Sequence, residues 1–233
     1  MQSLSLSIAS YVKAKLLPEL RDQSMQVMGK TGQWKIDPQR EETLLFFYPT
    51  MLEHEYIAPV VRIEMGGNAD GWPTSTCSIL SYVQQEFPDL IEGTGTDVVT
   101  VDIARNFWEK ISILHKIACR LEENPLWNIP ERYSRHYYDV YRLSQAGIVQ
   151  AALSNSSLIS DVRRAAQIFF EDRKAKYEEF AQGSIRLLPP ESGIQPLTRD
   201  YSAMRDMIFG EYPPITAIFE ELQSISNRVN SST

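Results

Sequence analysis

The side chains best placed to do chemistry lie between Arg105 and Leu143. Arg105-Asn106-Phe107-Trp108-Glu109-Lys110 opens a run in which Phe107, Ile111, Leu114, Ala118 and Leu121 recur at three- and four-residue steps, the spacing of one apolar helix face turned to a core. Lys110 falls on a neighbouring row with Leu114, Ile117 and Leu121, so its stem should run over buried surface and bring its ammonium to the edge of a cleft. A second helical run from Arg132 to Leu143 carries a tyrosine row, Tyr133, Tyr137 and Tyr141. Its one carboxylate is Asp139, four residues after Arg135 and three before Arg142. A lysine and an aspartate on two adjacent helices are the pair to explain. The competing reading of Asp139 is a surface ion pair with Arg135 or Arg142. His115, on an otherwise apolar helix, reads as a satisfied, half-buried histidine. A further candidate, Glu64, ends a strand just before Gly66-Gly67, where catalytic carboxylates are often displayed; a solvated strand face accounts for it equally well.

The elements that must position these groups follow from the pattern. The chain opens with a helix through Ile8, Val12, Leu16 and Leu17, ended or bent near Pro18. Gly29-Lys30-Thr31-Gly32 is a turn between short extended pieces around Val27 and Trp34; it lacks the spacing and the Lys-Ser/Thr pair of a phosphate loop. Residues 43–48 and 59–65 are strands, and in the second Arg62 and Glu64 face away from Val61, Ile63 and Met65. The segment through Ile79, Tyr82 and Val83 has no single period, and Val98, Val99 and Val101 mark a third strand. Helices are expected over 148–153 after a Gly147 cap, then over 158–170, 172–181, 197–209 and 214–226, with a loop over 183–196 and a polar tail over 227–233. Strands first and helices afterwards give an α+β fold: an antiparallel or mixed sheet region over 1–102, then a helical bundle over 103–233.

Composition narrows the function classes. At 233 residues and 43% apolar, the chain can bury the core of one large domain or two small ones. A net charge of −7 argues against general adhesion to nucleic acid. Local basic clusters remain at Arg132, Arg135, His136 and Arg142, and at Arg163, Arg164, Arg173, Lys174 and Lys176; the second group reads as solvated helix faces. Cys77 and Cys119 have neither metal-ligand nor redox spacing, which suits a reducing compartment and supplies no nucleophile. No apolar run approaches membrane-spanning length, and the N-terminus has no basic residue ahead of its apolar positions, so the expected location is the cytoplasm.

Arg105-x-Phe107-Trp108-Glu109-Lys110 with His115, followed by Tyr133-Ser134-Arg135-His136-Tyr137-Tyr138-Asp139-x-Tyr141-Arg142-Leu143, resembles the two later motifs of the AbiEii/AbiGii nucleotidyltransferase toxins. Those are the toxin halves of type IV toxin–antitoxin and abortive-infection systems. The resemblance extends to Phe46-x-Tyr48-Pro49, Val61-x-Ile63-Glu64-Met65-Gly66, Asp70-x-Trp72-Pro73 and Met207-Ile208-Phe209-Gly210-Glu211. It implies a DNA polymerase β-like nucleotidyltransferase that binds an NTP with Mg²⁺ and transfers a nucleotide, in some members to tRNA 3′ ends, with a cognate antitoxin as partner. On matching positions, Lys110 would contact the triphosphate and Asp139 would orient Lys110 or a substrate hydroxyl. Glu64 would add a carboxylate near the metal, and Arg105, Glu109 and Arg135 would support the site from behind.

The family signature begins with a Gly-Gly-Ser/Thr turn that cradles phosphate and an Asp-x-Asp strand that holds the metal. The chain has no Asp-x-Asp, and its Gly66-Gly67 is followed by Asn68. The resemblance thus implies that residue 1 falls beyond the family's metal strand, leaving the metal ligands unknown. Two readings follow: the C-terminal part of such an enzyme, inactive without a separately encoded N-terminal segment, or a non-catalytic module that binds a partner. Truncation would expose Leu44, Phe46, Val61 and Ile63 and favour self-association.

Overall fold

The structure is a computed structural model that describes residues 2–28, 32–51, 58–66, 71–91, 93, 95–155 and 157–231. The Gly29-Lys30-Thr31 part of the first turn, Gly67, Asn68 and Asp70 lie outside the described residues. The fold is α+β. It divides into two compact units, Met1–Asp70 and Gly71–Thr233. No helix among the described residues is long and apolar enough to cross a membrane.

The first unit sets one long helical element beside a three-stranded sheet. Helix α1 (Gln2–Tyr11) runs through a π-helical turn (Val12–Leu16) into α2 (Leu17–Met28), so the helix is neither stopped at Pro18 nor followed by an extended piece at Val27. Pro18 has no N–H to give, and a proline ring crowds the carbonyl one turn back. The widened turn before it, where the Leu17 N–H reaches the Val12 carbonyl, relieves that conflict without ending the helix. Strands β1 (Gln33–Asp37), β2 (Arg40–Phe47) and β3 (Val60–Glu64) pair antiparallel in that order, with Leu44 opposite Ile63 and Phe46 opposite Val61. Val12 and Leu17 close over Leu44, with Ile8, Leu16, Leu20, Trp34, Ile36, Ile63 and Met65 packed around them. The Trp34 indole donates to Ser24 Oγ at 3.0 Å, pinning β1 to α2. Leu44 and Phe46 are therefore buried and Ile63 is half-buried; of the four residues expected on an uncovered face, only Val61 is exposed. The N-terminal helix supplies the cover that truncation was expected to remove.

The second unit opens with a hairpin-like pair. Strand β4 (Thr74–Ile79), absent from the sequence reading, pairs antiparallel with β5 (Thr96–Val101), and α3 (Tyr82–Glu86) lies between them in sequence. The Thr- and Ser-rich stretch of β4 is exposed along its length, so no alternation of apolar residues marks it. The helices that follow are α4 (Ile103–Glu123), α5 (Ser134–Gln145), α6 (Ile148–Leu153), α7 (Ser157–Phe169), α8 (Glu191–Ala203) and α9 (Ile215–Asn230). Gly147, at φ +76°, turns the chain between α5 and α6 as its expected cap.

Four expected boundaries differ. The helix expected over 172–181 is two short 3₁₀ turns, Arg173–Ala175 and Tyr177–Glu179, separated by Lys176 in the left-handed region at φ 48°. Helix α8 begins inside the expected loop, at Glu191, and carries Pro196 within it; buried Gly193, Leu197 and Tyr201 hold that face in place despite the missing N–H. Past Ala203 only a 3₁₀ turn, Arg205–Met207, remains of the helix expected to Phe209. The expected polar tail continues α9, because Val229 is buried and Asn230 bonds both the N–H and the carbonyl of Ile185.

Tyr137, from the aromatic row of α5, is fully buried against Phe219 and its hydroxyl has no partner. A buried hydroxyl without a hydrogen bond costs about 1–3 kcal/mol. Tyr137→Phe should accordingly raise the unfolding free energy by about 1 kcal/mol in urea titrations; a loss of stability would mean the hydroxyl has a partner in solution.

Candidate active site

The two helices that carry Lys110 and Asp139 are each started by a carboxylate. Asp102 caps α4, its Oδ1 accepting from the N–H groups of Ala104 at 2.9 Å and Arg105 at 3.4 Å. Phe107, Ile111, Leu114, Ala118 and Leu121 are buried, as their spacing requires. Trp108, buried beside them, donates its indole N–H to the Ala152 carbonyl at 3.1 Å and locks α4 to α6.

The cap of α5 comes from another helix. Asp200 of α8 accepts from the N–H groups of Arg132 at 2.7 Å and Ser134 at 2.8 Å, and from the Ser134 hydroxyl at 2.5 Å. A negative charge at the first turn satisfies donors that have no partner within the helix and complements its dipole. At the other end Ser144 donates to Glu221 of α9. Both ends of α5 are therefore fixed by tertiary contacts, and that fixes where Asp139 stands.

Helices α4 and α5 pack side by side, and Lys110 Nζ lies 2.8 Å from Asp139 Oδ2. Asp139 pairs with Lys110 rather than with Arg135 or Arg142, so the surface-pair reading does not describe it. The Lys110 and Asp139 side chains are 25% and 35% exposed, at the wall of a cavity of about 510 Å³. Asn106, Tyr138 and Arg142 line it from the same two helices, Tyr82 from α3, and Met207, Ile208 and Phe209 from the segment before α9. Its size falls in the range of small-molecule sites.

His136 stands behind the pair. It is buried, its Nδ1 has no hydrogen-bond partner, and that atom lies 3.9 Å from Asp139 Oδ2. Burial, reinforced by the charges of Lys110 and Arg135, pushes its pKa down to about 3. The imidazole is neutral at pH 7, so its approach to Asp139 is not an ion pair, and Lys110 is the only charge-bearing partner that Asp139 has among the described residues.

Arg105 is buried; its Nε donates to Glu109 Oε1 at 2.8 Å and its Nη1 to the Trp72 carbonyl, while Nη2 has no partner. Arg105 and Glu109 thus join the start of α4 to the chain before β4. Arg135 is exposed. Glu64, in the first unit, lies on the exposed face of β3, with Arg62 Nη1 3.8 Å away, and lines a separate hollow with Ser7, Ile8, Tyr11, Met65 and Gly66. His115 is fully buried and doubly bonded: Nδ1 accepts from the Arg186 N–H at 3.1 Å, so Nε2 carries the proton toward the Lys176 carbonyl at 3.2 Å. Burial pushes its pKa down, and its role is to tie the segments after α7 to α4.

Among the described residues no three His, Cys, Asp or Glu side chains come together as a metal site. Mg²⁺, which nucleotidyl transfer uses and which takes one or two carboxylates together with the substrate's phosphates, has no such cluster among the described residues.

Tyr82, Asn106, Tyr138 and Phe209 carry no assigned role in the sequence reading. Asn106, Tyr138 and Phe209 fall inside the runs quoted above, so position within a motif was the available signal; Tyr82 lies in the one segment that had no period.

The chain matches the family model described as nucleotidyl transferase AbiEii toxin, type IV TA system, over residues 8–225. It belongs to that family of nucleotidyltransferase toxins, whose toxin–antitoxin organisation implies an antitoxin partner and an NTP substrate. No curated protein and no solved structure matches it.

Proposed function

We propose that this chain supplies the nucleotide-holding helical half of a cytoplasmic AbiEii-type nucleotidyltransferase, in which Lys110 binds the triphosphate of an NTP and Asp139 holds Lys110 ready for it. The observation that supports this most is the 2.8 Å Lys110–Asp139 pair on the wall of a cavity large enough for one nucleotide. A half-exposed pair of this kind contributes at most about 1 kcal/mol to stability, so folding alone is a weak reason for it. An ammonium poised by one carboxylate can exchange that partner for phosphoryl oxygens as their charge grows. Arg142, exposed on the same wall, adds a second cation for the phosphates. The Asp-x-Asp ligands are contributed by a segment outside these residues, and Mg²⁺ is held there; tRNA 3′ ends are the proposed acceptor.

The test incubates the chain with radiolabelled NTPs, Mg²⁺ and total tRNA, with and without a segment carrying the family's Gly-Gly-Ser/Thr and Asp-x-Asp motifs. The chain alone should give no labelling above background, and adding the segment, in cis or as a separate peptide, should produce it. Labelling by the chain alone would place metal ligands within it, with Glu64 and Asp70 the first to mutate. No labelling with the segment present would defeat the enzyme reading in favour of a partner-binding module.

A further inference from the structure

Two aromatic rings in the Lys110–Asp139 cavity are placed with more care than packing requires. Tyr82 and Phe209 stack at a centroid distance of 4.7 Å and an interplanar angle of 14°. Yet they are 63% and 60% exposed, so the stack does little to bury either ring. They come from opposite ends of the second unit and are braced separately. Tyr82 opens α3, where Ser81 Oγ accepts from the Gln84 N–H at 3.1 Å and the Gln84 side chain donates to the Gly93 carbonyl at 2.7 Å. Phe209 precedes Gly210, whose φ of +88° turns the chain sharply. Beyond that turn Tyr212 stacks on Tyr201 at 4.7 Å, and the Tyr201 hydroxyl donates to the Pro213 carbonyl at 2.8 Å, fixing the segment to α8.

Resting on the nucleotide-binding reading above, we propose that the Tyr82–Phe209 stack is the platform for the base of the incoming mononucleotide, whose phosphates lie toward Lys110 and Arg142. All four side chains line one cavity, so a single ligand can meet the aromatic and the cationic walls together. A flat, π-rich group joined to a polyanion is the chemical class that satisfies both walls, and base–aromatic stacking accepts any base because each has a π-face. Asn106, on the same wall, offers an amide with a donor and an acceptor to the base edge or the ribose. The volume suits one nucleotide rather than a strand, which would need a longer track of Lys and Arg than the Lys110 and Arg142 that line this cavity.

The proposal is tested by equilibrium binding of ATP and CTP to the full chain in EDTA, with inorganic tripolyphosphate as the base-free probe. Tyr82→Ala and Phe209→Ala, both at exposed positions and checked for fold by circular dichroism, should weaken ATP and CTP by about 5- to 150-fold, the range expected for one stacked base. Tripolyphosphate binding should be unchanged in both. Tyr82→Phe should keep nucleotide affinity, and Lys110→Ala should weaken nucleotides and tripolyphosphate alike. Unchanged ATP and CTP affinity in both alanine variants, with tripolyphosphate still dependent on Lys110, would overturn the platform and leave the phosphate site standing. Failure of every probe to bind would overturn the nucleotide reading and the platform with it. A short RNA ending in CCA forms the remaining arm: if the alanine variants weaken it but not ATP, the base on the platform is the acceptor's and the assignment to the incoming nucleotide is wrong.

Discussion

Lys110→Ala should lower nucleotide transfer by about 10²–10³-fold in whichever assembly performs it, the loss expected when one preorganised charge is removed from a developing phosphoryl anion. Single-turnover labelling with saturating NTP is the measurement, since it reads the transfer step apart from binding. Stability should change little, because the pair that Lys110 makes with Asp139 is half-exposed and worth at most about 1 kcal/mol. Asp139→Asn should act differently on the two steps. It keeps the shape of the side chain but frees Lys110, so metal-free tripolyphosphate should bind more tightly while transfer falls. Weaker phosphate binding in Asp139→Asn would show that the carboxylate does not compete for the ammonium and that the two side chains are no more than a helix-to-helix tie.

The second large effect is on acid stability. His136 is neutral in the fold because burial, with Lys110 and Arg135 nearby, pushes its pKa down to about 3, whereas an unfolded histidine titrates near 6.5. Asp139 and the ring of Tyr133 also lie against it. The folded pKa lies below the unfolded one for a group that gains charge on protonation, so between those values the unfolded chain binds more protons and falling pH favours it. The stabilisation is present in full above about pH 6.5 and is lost progressively toward pH 3. His136 alone should remove about 2 kcal/mol of unfolding free energy between pH 7 and pH 5, and His115, also depressed by burial, acts with the same sign. His136→Gln should flatten the stability-versus-pH slope by that amount in denaturant titrations at each pH, whatever it does to stability at pH 7. An unchanged slope would mean that His136 is reached by solvent or takes up its proton in the fold.

The helical half of the site was legible because its constraints are local. The three- and four-residue spacing from Phe107 to Leu121 makes a helix with one buried face, and that places Lys110 at the rim whatever α4 packs on. The partner of Asp139 was open in the sequence, since Arg135 and Arg142 are both in helical reach. It was settled by the tertiary contacts of α5, above all the capping of its first turn by Asp200, sixty-odd residues away in the chain. Strand β4 was illegible for the opposite reason: it is exposed throughout, and its Thr and Ser side chains give no apolar alternation. The cover over Leu44 was missed although Ile8, Val12, Leu16 and Leu17 read as one helix, because an apolar helix face shows that it is buried but not which strand it packs on. Phe209 lay in a quoted motif, but only the fold of the segment after α8 brings it against Tyr82.

The most direct test is a double-mutant cycle on transfer: native chain, Lys110→Ala, Asp139→Ala and the double variant, each in the assembly that carries the Asp-x-Asp segment, measured by single-turnover labelling. Residues that work as one unit are grossly non-additive. The expected result is that the double variant transfers within a few-fold of Lys110→Ala, because Asp139 acts through an ammonium already lost. Losses that multiply would contradict joint action, and full transfer by Lys110→Ala would contradict the site itself.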